Sequence, residues 1–142
     1  MKKSNSLLVI LLTLTVALAS CKKDEDDNAT KILGKWKLKK EVEKEYLNNQ
    51  LLGTDEYTYP SGAYVEFKSN GTLEWNEDGS DPETYRYSVD GDKLVVTEAA
   101  DRQETFTIQE LTSSKLTFSE VDEITIAPGQ VEKEENQYLL EK

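Results

Sequence analysis

One cysteine, Cys21, and no histidine limit the chemistry open to this chain. Without histidine there is no Ser-His or Cys-His pair to make a nucleophile, and zinc sites of the usual Cys/His kind are excluded. A single thiol closes no internal disulfide. Carboxylates are plentiful, 28 in all. Paired acids such as Glu98 and Glu104 could in principle share acid–base work. Nothing in the sequence sets them at a reactive spacing, so the chain does not read as an enzyme. Calcium, through Asp78, Asp81 or neighbouring glutamates, would need about six to eight oxygens. No calcium-loop pattern is present, and no metal or cofactor is expected. Cys21 has a context of its own. It follows a basic head, residues 1–6, and a thirteen-residue apolar run, 7–19, broken only by Thr13 and Thr15. A bilayer-spanning helix needs roughly 20 apolar residues. A charged head, a short apolar run and a small-residue cleavage site read instead as a secretory signal.

Leu18-Ala19-Ser20-Cys21 resembles a bacterial lipobox. The resemblance implies that the leader is cut before Cys21, that its sulfur is diacylated, and that the freed amine takes a further acyl chain such as palmitate. Each buried methylene contributes about 0.8 kcal/mol, so two or three chains anchor durably in a bilayer. Lys22-Lys23-Asp24-Glu25-Asp26-Asp27 is a charge block that stays solvated and extended. Cys, any residue, Lys and two acids is also similar to the tag that sends some Gram-negative lipoproteins to the outer face of the outer membrane. The expectation is therefore a signal peptide over 1–20, an acylated tether over 21–31 and a folded domain over 32–142. The product would be lipid-anchored in the outer membrane and surface-exposed rather than periplasm-facing.

Without the leader, 122 residues remain, enough for one domain. Lys2 and Lys3 leave with it, so 15 basic residues face 28 acidic ones, a balance of −13. Such a surface repels nucleic acid, which selects basic patches. The domain is expected to be a monomer.

Residues 29–33 can form one helical turn capped by Asn28 and ended by Gly34. Eight runs then alternate apolar and polar residues, the period of half-buried strands: 35–46, 63–68, 72–77, 83–89, 93–98, 103–111, 115–122 and 131–141. Asn70-Gly71 and Asp90-Gly91 read as two-residue hairpin turns with positive φ at both positions. Thr112-Ser113-Ser114 makes a third short link. The remaining links, 47–62, 78–82, 99–102 and 123–130, are longer and fall at the opposite end. Eight sequential antiparallel strands with such ends predict an all-β, up-and-down barrel, which leaves no free sheet edge. A two-sheet sandwich is the rival.

Gly34-Lys35-Trp36 opens the first strand directly after the helical turn. In position, strand count and length the chain resembles the lipocalin-like domains of bacterial lipoproteins. The resemblance implies that Trp36 plugs the closed end and that a small, partly apolar ligand enters at the other. Where that family carries an arginine over the Trp, this chain offers Lys142. The 47–62 stretch stands where the family keeps a lid.

The inner faces of the eight runs supply seventeen large side chains, eight of them aromatic. Near the open end they converge on Lys40, Val42, Lys44, Trp75, Tyr85, Glu98, Glu104, Phe106 and Glu120, joined by Glu77 and Glu83, with Tyr57 and Tyr59 above on the lid. Five acids against two lysines favour a cationic or hydroxyl-bearing ligand end. Aromatics at this density can also fill an eight-stranded barrel, which is only just wide enough for one small ligand. The alternative is then an accessory module that docks a protein partner through its acidic face or loops and holds no small ligand.

Overall fold

The computed structural model describes residues 27–98 and 100–142. The expected leader, the lipobox, Cys21 and most of the tether lie outside the described residues. The helical turn α1 (Asn28–Lys31) is capped by Asp27, whose carboxylate accepts from Ala29 N at 3.1 Å. Asn28, the expected cap, instead donates its side-chain amide to Gly91 O at 2.8 Å and ties the turn to the bottom of the sheet. Gly34 takes φ +107, a region that glycine enters without steric cost, and turns the chain into the first strand.

Nine strands follow: β1 (Gly34–Leu47), β2 (Gln50–Thr58), β3 (Tyr64–Phe67), β4 (Thr72–Asn76), β5 (Glu83–Asp90), β6 (Lys93–Thr97), β7 (Gln103–Leu111), β8 (Lys115–Ala127) and β9 (Gln130–Glu141). All pairings are antiparallel. β1 also pairs with β9 along residues 37–47 and closes the sheet on itself. β2 and β3 lie end to end along one edge of β1, beside residues 40–47 and 34–37 respectively. Nine segments therefore make eight staves of a closed up-and-down barrel, the fold expected from the alternation. A sandwich would leave β1 and β9 apart; their shared ladder rules it out.

The lower barrel is filled by the residues that alternate inward. Trp36, Leu38, Val65, Phe67, Leu73, Leu94, Leu116 and Leu140 are each at most 2% exposed. Large apolar side chains of this kind stabilise a core by about 1.5–3 kcal/mol each. Trp36 seals the bottom. Its indole N–H donates to Ile32 O at 2.7 Å. Lys142 Nζ stands 4.2 Å from the Trp36 ring centroid and donates to Leu33 O at 3.3 Å. Lysine thus occupies the place that the resemblance gave to arginine.

The open end differs from expectation. Residues 47–62 are no lid loop. Asn48 and Asn49 take φ 51 and 65 between the paired residues Leu47 and Gln50. That is the two-residue turn with both central residues at positive φ, and asparagine is among the few residues that tolerate it. β2 then runs back along β1. It shows no alternation because it is exposed almost throughout and because Leu52 is the extra residue of a bulge opposite Glu45 and Tyr46. The 123–130 stretch is likewise strand, since β8 continues to Ala127 and turns at Pro128-Gly129.

Two turns also differ in detail. Only Gly71 of the Asn70-Gly71 pair has positive φ, and its N–H donates to Lys68 O at 3.1 Å, so the link is one residue longer. Asp90 pairs with Lys93, which makes Gly91-Asp92 the turn. At the other end the length of β1, β2, β8 and β9, which pair with one another to Leu47–Gln50 and Ala127–Gln130, carries them beyond the other staves. Their tips are pinned by Asn48 N donating to Val131 O at 2.8 Å and Val131 N donating to Asn48 Oδ1 at 2.9 Å.

Candidate functional site

The open end is shaped by one slip in register. Leu38 faces Leu140 on β9, but Lys40 faces Leu139, so Lys39 is an extra residue. Lys39 and Lys40 both stay outside, and Glu41 turns inward opposite Tyr138. A bulge of this kind moves every later side chain to the other face. Lys40, Val42 and Lys44, expected inside, therefore lie outside. Lys40 Nζ donates to Glu56 at 2.7 Å, and Lys44 Nζ lies 3.8 Å from Glu135. Lys133 sits over the Tyr46 ring on the same outer surface, 3.9 Å from its centroid. The inner face of β1 above the bulge carries Glu41, Glu43 and Glu45 instead.

The other inward assignments hold. Trp75 on β4, Phe106 on β7, Phe118 on β8 and Tyr138 on β9 form one aromatic layer across the barrel. Trp75 meets Tyr138 edge-on with centroids 5.3 Å apart; Phe118 lies 5.3 Å from Phe106 and 5.4 Å from Tyr138. This layer is the floor. Above it a cleft of about 490 Å³ opens between β4, β5, β6, β7 and β9, with Trp75, Tyr85, Val96, Phe106 and Tyr138 in its walls and base. Six carboxylates line its upper part: Glu77, Asp78, Asp81, Glu83, Glu98 and Glu104. Among the described residues no lysine or arginine lines it. Arg102, in the link just before β7, donates to both carboxylate oxygens of Glu98, at 2.6 and 2.7 Å.

Three rim carboxylates are held by the polar edges of aromatic side chains. Trp75 Nε1 donates to Glu77 at 3.1 Å, Tyr85 OH to Glu83, and Tyr59 OH to Glu41 at 2.7 Å. Burial and then the adjacent carboxylates push the hydroxyls of Tyr59, Tyr85 and Tyr138 well above the usual phenol range, so they remain donors. Glu120, partly buried on the inner face, has its pKa raised by desolvation first and then by Glu104, Asp122, Glu41 and Glu134. The loop over 77–82 is organised by buried Asn76, which accepts from Gly79 N at 2.5 Å and donates to Ser80 O at 2.7 Å. Asp78 accepts from Ser80 N and Oγ within that loop. Among the described residues no group of three or more metal-ligating side chains is gathered to hold an ion.

Tyr57 and Tyr59 differ from the pair expected on a lid. Tyr59 is buried beside the mouth, stacked edge-on with Tyr57 at 4.9 Å, while Tyr57 is 56% exposed on β2. Neither lines the cleft. Glu41, absent from the sequence-based set, joins the inner face; the Lys39-Lys40 doublet is the one trace of the bulge in the sequence.

A closed antiparallel barrel, plugged by a tryptophan at one end and open over an aromatic floor at the other, defines a class of barrels that admit ligands from one side. A family model described as a lipocalin-like domain matches residues 32–118, more than half of the chain, and the chain belongs to that family. The family consists in general of binding proteins rather than enzymes. No curated protein and no solved structure matches the chain.

Proposed function

We propose that this protein is a lipid-anchored, lipocalin-like lipoprotein of the outer membrane, displayed on the cell surface, that binds a small, partly apolar ligand at the open end of its barrel. The observation that carries the binding role is the cleft of about 490 Å³ above the Trp75–Tyr138 floor. That volume lies within the roughly 300–1,000 Å³ range of small-molecule sites, and the cleft sets an apolar base of Trp75, Phe106 and Tyr138 beneath a wall of six carboxylates. The anchor rests on the Leu18-Ala19-Ser20-Cys21 motif. Residue 27 caps a helical turn tied to Gly91 at the closed end. Seven residues from Cys21 to Asp27 would span about 23 Å if fully extended, at roughly 3.3 Å each. The mouth would then face away from the membrane.

One feature favours the second reading, a protein-docking module. The projecting strands leave Leu51, Leu52, Ile124 and Ile126 exposed. The two readings part on the floor residue. Ligand recovered by mass spectrometry from the purified full chain should be lost on Trp75→Ala, with the barrel still folded by circular dichroism. Recovery unchanged in that variant, or nothing recovered from either protein, would sink the cleft as the working site. In parallel, Cys21→Ser should abolish acyl labelling and release the protein from membranes; retention would remove the anchor from the proposal.

A further inference from the structure

We infer that the ligand of this mouth is an organic cation with a flat apolar body, seated with the body on the aromatic floor and the charge at the carboxylate level. The inference rests on the binding reading given above and adds the ligand's charge. It starts from the cleft itself: an apolar base of Trp75, Phe106 and Tyr138, with Tyr85 in the wall. Aromatic faces attract cations through the ring quadrupole, and the attraction grows when water is excluded. Neutral apolar ligands would gain from the same base. The wall above decides between them.

That wall has a single sign. The bulge after Leu38 places Lys40 and Lys44 on the outer surface, where Glu56 and Glu135 occupy them, and brings Glu41 in. Arg102 is engaged by Glu98. Glu77, Glu83 and Glu41 are each aimed by an aromatic N–H or O–H, which takes one acceptor site of each carboxylate and leaves the others for an incoming donor. Glu104 lines the cleft and Glu120, on the inner face within electrostatic reach of Glu104 and Tyr138, stands behind it; neither is in a salt bridge among the described residues. An anion entering here meets repulsion from every wall. A neutral ligand leaves these carboxylates partly desolvated without a counter-charge. An organic cation avoids both costs.

The test uses one apolar body with three charges: naphthylmethyl-trimethylammonium, naphthylmethanol and naphthylacetate. Each is titrated against the full chain by calorimetry and by Trp75 fluorescence, with Trp36 sealed at the far end as an internal constant. The cation should bind about tenfold or more tighter than the alcohol, and the acetate should not bind. Added salt should shrink the preference, since exposed charges are screened. Glu104→Gln with Glu120→Gln should weaken the cation and spare the alcohol, while thermal stability holds or rises because like charges are removed. Equal binding of cation and alcohol overturns the inference and leaves the cleft as a neutral-ligand site. Binding of the acetate overturns it outright. Failure of all three removes the cleft as a site for ligands of this size, and the binding reading falls with the inference.

Discussion

At the closed end of the barrel every strand has a neighbour on both edges and a core on its inner face: Trp36, Phe67, Leu73 and Leu116 are essentially inaccessible to solvent. At the open end β1, β2, β8 and β9 continue past the other staves, and there Leu51, Leu52, Ile124 and Ile126 face water. β2 has one neighbour, and β8 loses its contact with β7 beyond Ser119. Both regions are antiparallel sheet with similar hydrogen-bond ladders. They differ in what stands behind the ladder. Closed-end ladders are backed by buried apolar area, so their opening exposes the whole core. The projecting strands are held by the ladder, the Asn48–Val131 bonds and surface pairs such as Lys40–Glu56. Exposed ion pairs contribute at most about 1 kcal/mol. The projection should therefore open locally, at a free energy below that of global unfolding.

The largest effect expected is at the plug. Trp36→Ala removes a fully buried indole, its bond to Ile32 O and the surface under Lys142. Truncations of this size cost about 3–5 kcal/mol. Because the core is shared, amide exchange should accelerate in every stave. A urea midpoint within error of the native protein, or faster exchange confined to α1 and β1, would show that the closed end is not the common support.

Lys142→Met should cost less, about 0.5–1 kcal/mol, the usual worth of an exposed cation over an aromatic face. It keeps most of the side-chain volume and removes the charge that stands 4.2 Å from the Trp36 centroid. Lys142→Arg should restore stability, since a guanidinium can stack on the same ring and still reach Leu33 O. Equal loss in both variants would mean that the position contributes through something other than its charge.

The same contrast explains what the sequence disclosed. Below the mouth, period-two alternation reports burial directly, because one face of each strand meets the core. Val65 and Phe67, Leu73 and Trp75, Tyr85 and Tyr87, Leu94 and Val96, Phe106 and Ile108, and Leu116 and Phe118 all point inward as their spacing requires. The Gly34-Lys35-Trp36 motif stands where the plug is. Above the mouth both faces of β2 meet solvent, so selection for alternation is absent and the strand reads as loop. The β1 bulge misleads for another reason. Val42 and Tyr46 keep the phase of Trp36 and Leu38 in sequence, but the extra residue at Lys39 turns that phase outward, where Tyr46 packs under Lys133. Of the mouth residues, those on β4 to β8 are legible from alternation, whereas alternation alone puts Lys40, Val42 and Lys44 inside and Glu41 outside, the reverse of their positions past the bulge. The Asn48-Asn49 turn was hidden because asparagine twice over is a weaker signal than Asn-Gly.

The smallest effect expected is at that turn, and it separates the two regions most cleanly. Asn49 holds φ 65 without the freedom of glycine. Asn49→Gly relieves that conformational cost, while the added flexibility of the unfolded chain offsets part of the gain. The net stabilisation should be on the order of 0.5 kcal/mol, and Asn49→Ala should lose a similar amount. Asn48 is left intact because its Oδ1 accepts from Val131 N. If the projection opens on its own, the change appears as slower exchange at the amides of Asn48 and Val131, while the global urea midpoint and the amides around Trp36 stay put. If all of them move together by the same amount, the projecting strands and the plugged end are one cooperative unit, and the mouth is as rigid as the floor beneath it.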